Sequence, residues 1–325
     1  MHPLRSYKRW LFVLLLAIPL GAPVAQGDYP SRALTITTPT AAGGGTDLVA
    51  RIFAERLTGL LGQSIVIDNK SGAGGLIGNQ AMQKERNDGY SLFVSANNNQ
   101  LIVPLMFKDA DFDPIDDYEP VAGLARVPYI LAVHPSFPAG NLKEFLAEIS
   151  NNPGKYQYVS AGVGTLNHLI PEMLSQRLNA DLEHVPYKGI AAALSDVVSN
   201  RVPIVFGALP AISPQVESGR LKLLAVTSET RLPSLPSVPA LNEEVPGLAN
   251  EMWVALWAPA GTSDDIVSRL DAAVAEAKKD SGLQERISNA GMSVMEEDAQ
   301  GLNQLQKDEF EVWKKLLAEL DLIAR

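Results

Sequence analysis

Apolar positions along the chain follow two alternating rhythms. Residues 34–38 form a short β-branched run closed by Pro39, the pattern of a strand. After Gly43-Gly44-Gly45, apolar residues recur at Leu48, Val49, Ile52, Phe53, Leu57, Leu60 and Leu61. That spacing predicts a helix opened by Thr46 or Asp47 and stopped by Gly62. Residues 65–67 predict a second strand. Gly72, Gly74, Gly75 and Gly78 then make a loop leading into a helix that ends near Asn87. Residues 91–95 predict a third strand, with Asn97-Asn98-Asn99 as its polar exit. The same order returns after Val121. It gives strand 129–133, helix 142–149 stopped by Asn151-Asn152-Pro153-Gly154, strand 157–160, and a loop with Gly162 and Gly164. Helix 165–178, strand 182–185, helix 191–198, strand 202–206, short helix 211–217 and strand 221–227 follow.

Short apolar strands alternating with amphipathic helices predict an α/β protein. Each of its two successive lobes is expected to be a mostly parallel sheet flanked by helices. The texture changes after Thr227, where Pro233, Pro236, Pro239 and Pro246 preclude an ordinary helix or central strand and predict an extended connection. Residues 253–257 then read as a strand. Ile266, Leu270, Val274 and Ala277 carry a helix capped by Ser263 or Asp264. Residues 299–322 predict a long helix burying Leu302, Leu305, Phe310, Trp313, Leu316, Leu317 and Leu320. Such stripes are core or docking faces.

The first residues break this pattern. Arg5, Lys8 and Arg9 precede an apolar run over 11–20 and then Ala25-Gln26-Gly27. This is the order of a secretory signal cleaved after Gly27, with Ala25 as the alternative last residue. The run falls short of the ~20 residues of a membrane span. Residues 1–27 hold three bases and no acid. The full chain of 325 residues, with 27 Lys+Arg against 37 Asp+Glu and a net charge of −10, therefore becomes a mature chain of net −13. That charge disfavours nucleic acid and anionic membrane as partners. The apolar share of 46% excludes disorder. With no cysteine, disulfides and thiol chemistry are excluded. The chain is expected to be soluble and exported.

The chemistry is expected in three glycine-containing loops that follow strands and precede helices: 40–46, 71–78 and 160–165. In open α/β sheets ligands bind beyond the carboxyl ends of the strands. Helix N-termini there offer unpaired N–H groups and partial positive charge, and glycine admits a ligand to the backbone. Three such loops in register point to a carboxylate or phosphate. No GxxxxGK[ST] loop occurs. Gly72-Ala73-Gly74-Gly75-Leu76-Ile77-Gly78 resembles a dinucleotide loop, but the next strand ends in Ser95-Ala96-Asn97 without an acid for a ribose. His134, His168 and His184 lack zinc-site spacing, so no metal and no cofactor are expected. His134 and His184 close strands and read as structural. Ser160 and His168 permit an exported hydrolase as the alternative reading, although no G-x-S-x-G elbow and no orienting acid support it. His168 otherwise caps its loop or donates to a ligand oxygen. Asp47 is expected to cap backbone N–H groups, and Lys188 is a candidate counter-ion that a turn would leave solvated.

Several runs carry a resemblance. Tyr29-Pro30-Ser31-Arg32, Pro39-Thr40-Ala41-Ala42-Gly43-Gly44-Gly45-Thr46-Asp47 and Asp68-Asn69-Lys70-Ser71-Gly72-Ala73-Gly74-Gly75 resemble the Bug family, the extracytoplasmic solute receptors of tripartite tricarboxylate transporters (TctC-like). So do Gly164-Thr165-Leu166-Asn167-His168-Leu169, His184-Val185-Pro186-Tyr187-Lys188-Gly189, residues 219–227, Leu235-Pro236-Ser237-Val238-Pro239 and Trp257-Ala258-Pro259-Ala260-Gly261-Thr262. The matches run in order through nearly the whole mature chain. The resemblance implies a two-lobed Venus-flytrap fold of the type II periplasmic-binding-protein kind. Residues 28–126 and 228–325 would form one lobe and 127–227 the other. It implies a monomeric, non-enzymatic periplasmic protein that holds a mono-, di- or tricarboxylate or aromatic acid between its lobes. The ligand would pass to membrane permease subunits or signal to a sensor. First-lobe contacts would be Thr40, Ala42, Gly43, Gly44, Asn97 and Asn98. Second-lobe contacts would be Ser160, Gly164, Thr165 and His168, with Phe206 near the cleft wall. Relatives often carry Phe-Asp-Asn where this chain has Phe206-Gly207-Ala208. The missing acid either argues against an amino-bearing ligand or leaves room for a bulkier one.

Overall fold

A computed structural model describes residues 29–320 and 322–323. The expected signal segment lies outside them. The elements in chain order are β1 (Leu34–Thr38), α1 (Gly45–Leu61), β2 (Ile65–Asn69), α2 (Leu76–Met82), β3 (Ser91–Ala96), a π turn (Asn98–Ile102) and α3 (Val103–Met106). Next come β4 (Tyr118–Val127), β5 (Tyr129–Val133), α4 (Leu142–Asn151), β6 (Gln157–Ser160), α5 (Leu166–Leu178), β7 (Glu183–Pro186), α6 (Ile190–Val198), β8 (Ile204–Ala208), α7 (Leu209–Glu217) and β9 (Lys222–Val226). The chain closes with α8 (Leu241–Glu244), β10 (Met252–Pro259), α9 (Asp264–Lys278), α10 (Ser281–Asn289), β11 (Ser293–Val294) and α11 (Ala299–Glu319).

The strands form two sheets. One has six strands in the order β11-β4-β10-β3-β1-β2, the other five in the order β7-β6-β8-β5-β9. Both are mixed, which corrects the expectation of mostly parallel sheets. In the first, β1 runs parallel to β2 and β3, while β10 is antiparallel to β3 and β4, and β11 to β4. In the second, β6 is parallel to β7 and β8, while β5 is antiparallel to β8 and β9. Strand–helix alternation reports only the parallel crossovers. The antiparallel pairs arise where the chain passes between sheets, from β4 into β5 and from β9 back to β10.

The local reasons match the sequence. Helix α1 buries Val49, Ala50, Ile52, Phe53, Leu57 and Leu61 on one face. It ends at Gly62, left-handed at φ 68°, whose N–H bonds to the Thr58 carbonyl. The proline-rich passage departs from the expected extended connection: turns close from the Leu235 N–H to the Leu232 carbonyl at 2.9 Å and from the Val238 N–H to the Leu235 carbonyl at 3.0 Å, Val226 N–H meets the Pro239 carbonyl at 3.0 Å beside β9, and α8 follows. Helix α11 buries Leu302, Trp313 and Leu317, and half-buries Leu305, Phe310, Leu316 and Leu320. It docks on β10 through polar anchors. Trp257 Nε1 donates to Gln306 Oε1 at 3.1 Å. Glu309 accepts from Asn97 Nδ2 at 2.7 Å, from Trp313 Nε1 at 2.8 Å and from Trp253 Nε1.

Strands β4 and β11, helices α3, α8 and α10 and the π turn escape the sequence pattern, and α2 is shorter than expected. Strand β4 carries Pro120 and Gly123, which read as breakers, and its pairing with β10 is interrupted by register shifts. Helix α10 buries only Leu283 and Ile287. Strand β11 has two residues, and α2 stops at Met82, short of Asn87. No helix among the described residues is long and apolar enough to cross a membrane.

Candidate functional site

Three helices begin at one cleft between the sheets. Helix α1 starts at Gly44-Gly45, α5 at Thr165-Leu166 and α6 at Gly189-Ile190, and none has its N-cap side chain bonded to its own first turn. Their leading N–H groups therefore lack intrahelical partners and carry partial positive charge. The cleft holds a cavity of about 90 Å³. Residues 39–42, 44–46, 71, 72, 74, 75, 98 and 99 line it from one side. Ala161, Thr165, Asn167, residues 188–191 and Ala208 line it from the other. Tyr129 and Met252 also line it, one just past each chain crossing, with the Tyr129 hydroxyl 3.6 Å from the Met252 sulfur. Among the described residues no Asp or Glu lines the cavity, and Lys188 is the one cationic side chain that does.

Loop 40–44 is held from behind. The buried Asp47 carboxylate accepts from Gly43 N–H at 2.9 Å, Arg51 Nε at 3.0 Å and Asn69 Nδ2 at 2.9 Å. Burial alone would raise this carboxyl's pKa. The bonds from Arg51, Gly43 and Asn69 outweigh it and hold the group below its ordinary value. Asn69 Nδ2 also reaches the Thr40 carbonyl at 3.1 Å. Asp47 thus turns its charge away from the cleft, resolving the conflict between an acid at a helix start and an anion bound there. Two buried acceptors are left without partners at the cavity, Thr40 Oγ1 and Asn98 Oδ1. Buried polar groups are rarely left so.

The opposite loop is organised by a pair of imidazoles, His168 buried and His184 half-buried. Gly164 N–H donates to His168 Nδ1 at 3.4 Å, and the Thr165 hydroxyl donates to the Gly162 carbonyl at 2.6 Å. The rings of His168 and His184 lie 4.3 Å apart, and His184 Nε2 is 2.6 Å from Ser160 Oγ. Burial, with His184 adding repulsion, pushes His168 down to about 3; burial pushes His184 down to about 4. Both are neutral at pH 7 when folded, whereas an unfolded histidine titrates near 6.5. Below that pH the unfolded chain takes up protons that the folded chain refuses, so stability falls as pH drops from about 6.5 towards 4. The slope is about 1.4 kcal/mol per pH unit for each ring. Urea unfolding at pH 7 and pH 5 measures it, and His168→Asn should remove about half of the slope.

The structure gathers some of the sequence-picked residues at the cavity and not others. Thr40, Ala42, Gly44, Asn98 and Thr165 line it. Gly43 lies behind it on Asp47, and Asn97 turns its amide to Glu309 and the Glu251 carbonyl. Ser160, Gly164 and His168 form the support just described. Phe206 is fully buried in the core, its carbonyl accepting from Asn167 Nδ2, and Ala208, two positions on, meets the cavity. The imagined Ser160/His168 pair is absent. Ser160 bonds to His184, and among the described residues no carboxylate bonds to either ring. No group of three or more potential metal ligands occurs among them either. Residues 189–191, Tyr129 and Met252 were missed. Gly189 before an apolar run was a legible signal; Tyr129 and Met252 reach the cleft only through topology.

The two sheets touch across this cleft. A Cβ on Gly74 would lie 2.3 Å from the Val163 carbonyl oxygen, and one on Gly162 would lie 3.6 Å from Gly74 N. A Cβ on Gly189 would meet that of Ala41 at 3.3 Å. Two α/β lobes joined by two crossings, with an acid-free cleft between them, define a periplasmic-type solute-binding protein. The family model of the tripartite tricarboxylate transporter family receptor (TctC) matches residues 49–322, and the chain belongs to that family. A UPF0065 protein from the tcbD-tcbE intergenic region of Pseudomonas sp. strain P51 is 33% identical over 98% of this chain and 95% of its own length. Rpa4515 of R. palustris, solved with adipate, superposes with a TM-score of 0.87 at 32% identity, covering 91% of this chain and 99% of that one. MatC of Rhodopseudomonas palustris, solved with malate, gives 0.84 at 29% identity, covering 89% and 100%. The resemblance read from the sequence is borne out.

Proposed function

We propose that the protein captures a small carboxylate between its lobes in the periplasm and presents it to the permease subunits of a tripartite transporter, performing no chemistry. Residues 28–126 and 228–325 would move as one lobe and 127–227 as the other, hinging at the two crossings. Thr40, Ala42, Gly44, Asn98 and Thr165 are assigned to ligand contact. Gly43, Asn97, Ser160, Gly164, His168 and Phe206 are assigned to holding those contacts in place. The observation that carries this reading is the convergence of three uncapped helix starts on a cavity without an acid. An anion touching both lobes favours the closed state by its differential affinity. The ligands of Rpa4515 and MatC, adipate and malate, are of this class. The hydrolase alternative loses its basis with the Ser160/His168 pair.

Mass spectrometry of the purified chain should find a retained carboxylate. A thermal-shift screen of mono- and dicarboxylates should raise the melting temperature by roughly 5–10 °C at a hundredfold excess over Kd. No shift with any carboxylate, together with turnover of ester substrates, would sink the reading.

A further inference from the structure

We infer that Asn79 and Asn99 are positioning residues for lobe closure: their buried amides lock the Gly74 backbone, where one lobe meets the other, to the turn that carries Asn98 into the cavity. This rests on the reading of capture by closure above. Asn79 is 0% exposed and Asn99 3%. Asn99 Nδ2 donates to the Gly74 carbonyl. Asn79 Nδ2 donates to the next carbonyl, that of Gly75, at 3.1 Å, and to the main-chain carbonyl of Asn99 at 3.0 Å. Asn79 Oδ1 accepts from the Tyr118 hydroxyl at 2.8 Å, which fixes the orientation of its amide. Two successive glycine carbonyls are thus held by two buried amides, and one of those amides also holds the backbone of the other.

The glycines explain why such clamps are needed. Gly72, Gly74 and Gly75 have φ of +142°, +65° and +113°. Glycine reaches these conformations freely, and for the same reason a run of it is costly to order. A Cβ on Gly75 would lie 2.7 Å from Asn99 Nδ2 and 3.0 Å from Asn99 Cβ, so the missing side chain is what admits the clamp. On its other side the same loop meets the opposite lobe, at the approach of Gly74 to Val163. Gly72, Gly74, Gly75, Asn98 and Asn99 all line the cavity, and Asn98, next to the clamp, keeps its buried Oδ1 without a partner. A ligand group taken up at Asn98 and a lobe contact made at Gly74 therefore belong to one preorganised unit. A loop ordered beforehand does not draw on ligand affinity for its own ordering.

The test titrates the purified mature chain by calorimetry with straight-chain dicarboxylates of four to eight carbons and with malate, and carries the tightest-bound of these through the variants. Asn99→Ala should weaken it about tenfold. Tyr118→Phe, which keeps its ring stacked on Phe93 and lies outside the cavity lining, should weaken it about threefold. Because Asn99 also lines the cavity, a double-substitution cycle separates positioning from direct contact. Gly74→Ala already forfeits the lobe contact, so adding Asn99→Ala to it should cost less than about threefold more. The same cycle run with Tyr118→Phe decides the matter should Asn99→Ala fail to fold. Losses that multiply in the double variant, or wild-type affinity in either single variant, would overturn the positioning role and leave carboxylate capture standing. A wild-type chain that binds none of these probes, nor any carboxylate of the thermal-shift screen, overturns both readings and is told apart by that silence.

Discussion

Gly74→Ala is expected to lower ligand affinity about a hundredfold while the ligand-free protein stays folded. Gly74 adopts φ +65°, and an added Cβ would come within 2.3 Å of the Val163 carbonyl oxygen. That oxygen belongs to the loop before α5, on the opposite side of the cleft. Backbone on both sides leaves no flexible side chain to give way. The collision exists only while the lobes are together, so its cost falls on the closed state alone. A cost of about 2.7 kcal/mol on closure corresponds to a hundredfold loss in apparent affinity. The ligand-free fold bears only the strain of alanine at positive φ, about 1 kcal/mol. Calorimetry gives the affinity. Small-angle scattering should show that ligand no longer contracts the variant. Wild-type affinity, with contraction intact, would remove this glycine contact from the closing mechanism.

Glu309→Leu is expected to give the largest loss of stability, about 3 kcal/mol, or roughly 5–10 °C in melting temperature. Its carboxylate accepts from two indoles and one amide, and Trp253, Trp313 and Asn97 are each less than 5% exposed. Leucine keeps much of the volume and leaves three donors unpaired. Glu309→Gln, which retains one acceptor oxygen, should fall between wild type and Leu in urea denaturation. If Gln and Leu were both neutral, α11 would be held by its apolar face alone.

Much of this was legible in the sequence because the information is local. Helix α1 announces itself by its apolar stripe and by the glycines at both ends. Helix α5 does so by Gly164-Thr165, and the loops at the strand ends follow from the order of elements. What stayed hidden is non-local. Strand β4 is not legible because its Pro120 and Gly123 are accommodated through an irregular pairing with β10, more than a hundred residues away. Asn97 and Asn98 are neighbours of one residue type. One is claimed by α11 and the other is left at the cavity, a distinction made by a helix near the far end of the chain. Ser160 was coupled to His168 by proximity in sequence, yet strand pairing brings β7, and with it His184, alongside β6. Phe206 and Ala208 lie on the same face of β8. Only the strand's length decides which of them reaches the cleft.

Strand β10 lies between β3 and β4 and pairs with both. The two strands it separates are complete by residue 127, but β10 itself ends at Pro259, and α11, which locks it, ends at Glu319. The six-stranded sheet therefore lacks the strand between β3 and β4 until residue 259 is in place. The five-stranded sheet is continuous in sequence and can assemble while that strand is missing. The topology thus lets the inner segment complete its own sheet independently, whereas the first strands of the chain need β10, near its end, to complete theirs.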